Sequence, residues 1–193
     1  MGIKARRYAD ILAGAPEYVT GRQEEWKAFL ATAARNYKYP YYDQLMIYLQ
    51  RPEATACAEY DFWFDTMHRY VKRGAKGIAL VDNEGDSPRL RYVFDVADTG
   101  ARSNSRPVWL WQMKEEYRNP VMAALERAYG VSGENLSLEA QLEQVAGRLA
   151  ADYWMDYGRQ ISGIVADSFL EEYDEFNIGI AFRKAAQASI VYT

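Results

Sequence analysis

Ile78-Ala79-Leu80-Val81, then Asp82-Asn83-Glu84-Gly85-Asp86-Ser87-Pro88, then Leu90-Arg91-Tyr92-Val93-Phe94 decide the fold. A short apolar run, a cluster of turn formers and an alternating apolar–polar run read as the two strands of an antiparallel hairpin. Gly74 and Gly77 mark a turn just ahead of it. Upstream, the apolar period is helical instead. Residues 3–12 suit a short helix. Thr20, with Gln23 in the capping-box position, predicts the start of the next helix, whose stripe is Trp26, Phe29, Leu30, Ala33 and Ala34. Pro40 interrupts, a third helix carries Leu45, Met46 and Leu49, and Arg51-Pro52 stops it. Residues 60–67 suit a further helical turn or two.

Downstream, the loop-forming Thr99-Gly100-Ala101-Arg102-Ser103-Asn104-Ser105-Arg106-Pro107 is the best boundary candidate. Beyond it the pattern is helical throughout. Asn119-Pro120 opens a helix that Gly130 closes. Ser137 caps a second helix with the stripe Leu138, Leu142, Val145, Leu149 and Tyr153, which Ile161, Ile164, Val165, Ser168 and Phe169 continue. A last helix over residues 180–192 runs to Thr193 without a cap, which predicts a chain that continues in a longer native protein. The fold class expected is α+β. Helices and a β-hairpin or small antiparallel sheet form a module of residues 1–106. An all-helical, acidic extension of residues 107–193 follows.

Across 193 residues, 49% are apolar and 26% charged, as in ordinary globular chains. The single cysteine, Cys57, excludes an internal disulfide framework and any Cys-rich zinc site. It reads as a small buried apolar residue. The single histidine, His68, excludes a His–His metal pair. No run of 18 apolar residues occurs, and the N-terminus has no apolar stretch suited to a secretion signal, so a cytoplasmic chain without membrane contact is expected. The net charge of −4 hides an asymmetry. Residues 1–106 hold 16 basic and 14 acidic side chains, and residues 107–193 hold 7 and 13. Such a split suits an anion-binding part beside an acidic one, or simply two solvated faces.

Aromatic side chains are the compositional oddity, with 16 Tyr, 5 Trp and 7 Phe. The densest knot is Tyr37-Lys38-Tyr39-Pro40-Tyr41-Tyr42-Asp43-Gln44-Leu45-Met46-Ile47-Tyr48, flanked by Arg35 and Arg51. Aromatic faces interleaved with cations suit single-stranded nucleic acid, because bases stack on rings while Lys and Arg neutralise phosphates. The plainer reading makes these tyrosines core edges with wet hydroxyls. A second cluster, His68-Arg69-Tyr70-Val71-Lys72-Arg73-Gly74-Ala75-Lys76-Gly77, reads as a basic hairpin. Its alternation sets Arg69, Val71 and Arg73 against His68, Tyr70 and Lys72, with Lys76 in the turn. The plainer reading is a solubilising hairpin tip.

Catalytic patterns are poor. HExxH, GxSxG, CxxC, GxGxxG and the P-loop string are all missing from the sequence. Asp95 and Asp98 have the types a Mg²⁺-dependent nuclease uses, but Asp at this spacing after a strand is far more often a turn cap. No cofactor is implied and no catalytic role is assigned. Glu171, Glu172, Asp174 and Glu175 form an acidic cluster that reads first as a solvated face.

Several of these segments, taken in order, carry a family resemblance. The string runs Trp26-x-x-Phe29-Leu30, Tyr37-Lys38-Tyr39-Pro40-x-x-Asp43-Gln44-Leu45-x-Ile47-Tyr48-x-Gln50-Arg51-Pro52-x-Ala54-Thr55, Trp63, Arg69-x-Val71-x-Arg73-Gly74-x-Lys76-Gly77-Ile78 and Val93-Phe94-Asp95-Val96-x-Asp98-Thr99. It resembles the N-terminal domain of ArdC-type antirestriction proteins, in the form found at the start of large helicase/methylase-like proteins of conjugative elements. The resemblance covers residues 20–100. It implies a non-enzymatic, largely sequence-independent DNA-binding module, favouring single strands, that helps mobile DNA survive entry into a new host. The metalloprotease that follows in ArdC does not carry over, because residues 107–193 contain no histidine.

The partner expected is therefore single-stranded or distorted DNA. Lys38, Arg51, Arg69, Lys72, Arg73 and Lys76 are the expected phosphate contacts, Tyr39, Tyr41, Tyr42 and Trp63 the stacking residues, and Gln44 a polar contact. The alternative is a protein-interaction module whose acidic helical half inhibits a host defence nuclease.

Overall fold

The computed structural model describes residues 3–82, 89–165, 168 and 170–193. It is an α+β protein whose chain divides into two compact units, Met1–Trp111 and Gln112–Thr193. The division lies five residues beyond the boundary expected at Arg106.

Three helices open the first unit: α1 (Ile3–Thr20), α2 (Gln23–Arg35) and α3 (Tyr41–Gln50). α1 is longer than expected, and Thr20 ends it instead of capping α2. Leu12, Ala15 and Val19 are buried on one face, and that stripe carries the helix through Pro16. Thr20 Oγ1 donates back to the Pro16 carbonyl at 2.9 Å. Arg22 stands at the N-cap of α2 without a side-chain cap bond.

Five strands follow among the described residues: β1 (Cys57–Glu59), β2 (Arg69–Val71), β3 (Ile78–Asp82), β4 (Arg89–Asp95) and β5 (Thr99–Ala101). β3 and β4 pair antiparallel, with Ile78 opposite Val93 and Asp82 opposite Arg89, as the apolar and alternating runs predict. The turn residues 83–88 lie outside the described residues. β4 also pairs with β1, giving a three-stranded sheet in the order β1-β4-β3. The basic stretch around Arg69 is not a hairpin. β2 instead pairs with β5, thirty residues away, with Tyr70 opposite Gly100. Between β1 and β2, Phe62–Thr66 forms a π-helical turn closed by Met67 N–H to the Phe62 carbonyl at 3.0 Å.

The core of this unit packs α1, α2 and α3 against β3 and β4 through Val19, Phe29, Leu45, Ile47, Leu80 and Val93. Each such side chain contributes about 1.5–3 kcal/mol by leaving water. Polar staples fix the loop after α3. Arg35 Nε donates to the Ala54 carbonyl at 2.9 Å, and Thr32 Oγ1 donates to the Pro52 carbonyl at 2.5 Å. The Gln50 amide pairs with Ala79 like one more strand residue: its Nε2 donates to the carbonyl at 2.8 Å and its Oε1 accepts the N–H at 2.9 Å.

The second unit is helical: α4 (Arg118–Tyr129), α5 (Leu138–Gly163) and α6 (Glu175–Tyr192). Gly130 ends α4 at φ +66°, and Ser137 caps α5 by accepting the Ala140 N–H at 3.1 Å. Leu138 and Val145 of the expected stripe are buried, whereas Tyr153 is exposed. α5 stops at Gly163, short of the continuation expected through residue 169. Ser168 Oγ there donates to the Val165 carbonyl at 2.6 Å, a local bond that competes with the helix, and Phe169 lies outside the described residues. α6 begins five residues earlier than expected because Asp174 accepts the Asn177 N–H at 2.8 Å. No helix of the described residues is long and apolar enough to cross a membrane.

Candidate nucleic-acid interface

The tyrosine knot divides between core and surface. Tyr48 is buried and donates its hydroxyl to Glu25 Oε2 at 2.7 Å. Tyr39 is half-buried and donates to the Cys57 carbonyl at 2.9 Å, and burial raises its hydroxyl above the usual tyrosine range. Both rings are held by α2, α3 and β1, so Tyr39 is a packing residue with its polar tip in use, not the stacking residue expected. Tyr37, Tyr41 and Tyr42 remain exposed, and Lys38 Nζ lies 5.8 Å from the centre of the Tyr37 ring. Tyr41 meets Phe29 and Tyr42 edge-on at 5.8 and 5.4 Å, which fixes its ring at the rim of the core.

Several expected contacts are occupied by the fold. Trp63 is 2% exposed and donates its indole N–H to the Phe94 carbonyl at 2.8 Å, so it is a core residue and no base can reach its face. Arg51 makes a two-pronged pair with Asp98, and Glu53 lies 3.3 Å from its Nε. Its guanidinium holds loop to loop and is not free for phosphate. Arg69 Nε donates to Thr99 Oγ1 at 2.7 Å across the β2–β5 pair, also a structural bond. Gln44 Nε2 donates to the Asn36 carbonyl at 3.3 Å. Lys72, Arg73 and Lys76 are exposed. Lys72 Nζ rests on the Ala97 carbonyl at 2.8 Å, and Gly74, at φ +86°, makes the turn that presents Arg73.

The two aspartates after β4 serve the chain itself. Asp95 is buried and accepts N–H groups from Thr55, Ala56 and Ala97 at 2.7, 3.0 and 2.9 Å. Asp98 is taken by Arg51. Among the described residues no three His, Cys, Asp or Glu side chains gather as a metal site. Glu171, Glu172, Asp174 and Glu175 are exposed, and Asp174 is engaged as the N-cap of α6.

A second aromatic group comes together that the sequence reading did not single out. Tyr60 and Phe64 stack with centroids 5.9 Å apart and planes 10° apart. The Arg102 guanidinium lies over Phe64 at 4.9 Å and over Tyr70 at 5.9 Å. Tyr60, Phe64 and Tyr70 are 48%, 40% and 43% exposed, so this stack faces water. Local structure explains it. The π-helical turn carries Phe64 outward while Trp63 points in, and strand alternation turns Tyr70 outward while Arg69 and Val71 point in. Residues 60–76 and 99–106 together hold six Lys and Arg against two acids, Asp61 and Asp65. The signal in the sequence was the alternation Tyr60-x-Phe62-x-Phe64. Its partner Arg102 lies 38 residues on, and only the β2–β5 pairing brings it there.

Compared with protein-family models, with curated proteins and with solved structures, the chain finds no match.

Proposed function

We propose that this chain binds single-stranded or distorted DNA without sequence preference and without chemistry of its own. The observation that carries the reading is the exposed stack of Tyr60, Phe64, Arg102 and Tyr70, with Lys72, Arg73 and Lys76 in the turn and loop that follow β2. Solvent-exposed rings accept any base, and an arginine already held against aromatic rings needs little ordering to meet a phosphate or a further base. The exposed Tyr37, Tyr41 and Tyr42 with Lys38 offer a second surface of the same chemistry. The resemblance of residues 20–100 to the ArdC N-terminal domain supports the biological setting: a cytoplasmic antirestriction role for incoming mobile DNA.

The test is anisotropy of a labelled single strand, with unlabelled single strand and duplex as competitors, across a salt series. Binding at low salt with single strand the better competitor is expected. Neutralising Lys72, Arg73 and Lys76 should flatten the salt slope by about 0.7 per lost contact. Absence of binding at low salt overturns the reading.

A further inference from the structure

Pro107-Val108-Trp109-Leu110-Trp111 belongs to neither helix nor strand. Trp109 is 86% exposed and Trp111 71%, with Leu110 between them at 47%. Indole is among the largest apolar side chains, and two left open in one short segment mark a contact surface.

The root of this segment is fixed beside the aromatic stack. Ser105 Oγ accepts the Arg102 N–H at 2.6 Å and donates to the His68 carbonyl at 2.6 Å. Arg106 N–H donates to the Met67 carbonyl at 3.0 Å. The strap that receives both bonds joins the π-helical turn bearing Phe64 to the strand bearing Tyr70. His68 adopts φ +54° there, a left-handed conformation uncommon outside glycine. Pro107 then stiffens the chain as it leaves. Trp109 and Trp111 follow Arg106 by three and five residues, so they lie within about 11 and about 18 Å of that anchor even if fully extended. Arg102 and Arg106, both exposed, lie along the same path.

From this we infer that Trp109 and Trp111 form a second stacking platform for the same single strand, continuing the track that begins on Tyr60, Phe64, Arg102 and Tyr70. The inference rests on the reading proposed above and extends its footprint. Exposed indoles that follow two exposed arginines out of a pinned root combine ring faces with cations, as sequence-tolerant single-strand binding does. A protein-binding strip is the competing use, and the experiment separates the two.

The experiment compares the full chain with Trp109→Ala/Trp111→Ala and with Trp109→Phe/Trp111→Phe. The probes are labelled oligothymidylates below and above the site size of one binding module, about 4–16 nucleotides. The alanine pair is expected to keep the wild-type melting temperature, because both indoles are solvated. It should bind the long oligonucleotide about tenfold more weakly while changing little on the short one. The phenylalanine pair should recover most of the loss. Should the alanine pair bind both lengths within about twofold of wild type, the platform is overturned while DNA binding stands. A wild-type chain that binds neither oligonucleotide overturns both readings.

Discussion

The ring of Tyr70 occupies the space that a side chain at position 100 needs. A Cβ added to Gly100 would lie 2.3 Å from Tyr70 Cζ and 2.4 Å from its hydroxyl oxygen. The two residues face each other across the β2–β5 pair, so the missing side chain at Gly100 lets the ring lie across the strand and meet Arg102. Gly100→Ala must push the ring away. The atoms it meets are the far end of a half-exposed side chain that can swing into solvent. Stability should therefore change by less than about 1 kcal/mol, while single-strand affinity falls as it does in Tyr70→Ala. Melting temperature and anisotropy of the two single variants and the double variant check this. Because both changes dismantle one contact, the double should bind no more weakly than Tyr70→Ala alone.

Arg51 and Asp98 lie 47 residues apart and join the end of α3 to the turn that launches β5. The bond to Asp98 holds the Arg51 guanidinium above the ordinary arginine range. Removing either partner leaves a half-buried charge without its counterpart. Arg51→Ala and Asp98→Asn should each lose about 1–3 kcal/mol in urea unfolding, with the double losing less than the sum. The salt slope of single-strand binding should stay at the wild-type value. A flattened slope with unchanged stability in Arg51→Ala would restore the phosphate role that its sequence neighbours suggest.

The helices and the β3–β4 hairpin were legible because their signals are local: a stripe at i, i+3, i+4, an alternating run, Ser137 as an N-cap and Gly130 as a C-cap. The β2–β5 pair was not, because strand pairing thirty residues apart leaves no local periodicity, and Arg69 to Val71 is too short to declare a partner. The same distance hid the site. Composition located aromatics and cations but could not say which rings the core would claim. Trp63 and Phe64 are adjacent and chemically alike, yet the π-helical turn buries one and exposes the other. Arg51 and Arg69 read as phosphate contacts because their acceptors, Asp98 and Thr99, lie far along the chain.

Cys57 is half-buried on β1, and burial together with the nearby Asp95 pushes its thiol up to about 12. Only the thiolate attacks disulfides and alkylating reagents, so at pH 8 the native side chain is almost wholly in the unreactive form. A thiol-exchange reagent should label the native protein far more slowly than the urea-unfolded chain, whose cysteine returns to an ordinary value. Rapid stoichiometric labelling without denaturant would show that β1 opens locally or that the thiol is not so shielded.

Tyr48 is one of the buried groups, with Tyr39 and Cys57, that make the first unit sensitive to alkali. Its ring packs edge-on against Phe29 at 5.8 Å in the core, and its hydroxyl donates to Glu25. Burial first, then the bond to the Glu25 carboxylate, pushes the hydroxyl up to about 12. In the unfolded chain the same group ionises near 10. The folded state therefore binds the proton more tightly. The stability this gives is complete below about pH 10 and is lost as pH rises toward about 12, since the unfolded state sheds its proton first. Tyr39, raised in the same direction by burial, adds to the loss. Urea midpoints measured from pH 8 to pH 11.5 should fall steeply above pH 10. Tyr48→Phe should begin from a lower midpoint at pH 8, because it leaves Glu25 without its donor, and should then fall less steeply. Parallel slopes for wild type and Tyr48→Phe would place the alkaline sensitivity elsewhere, with Tyr39→Phe the next variant to measure.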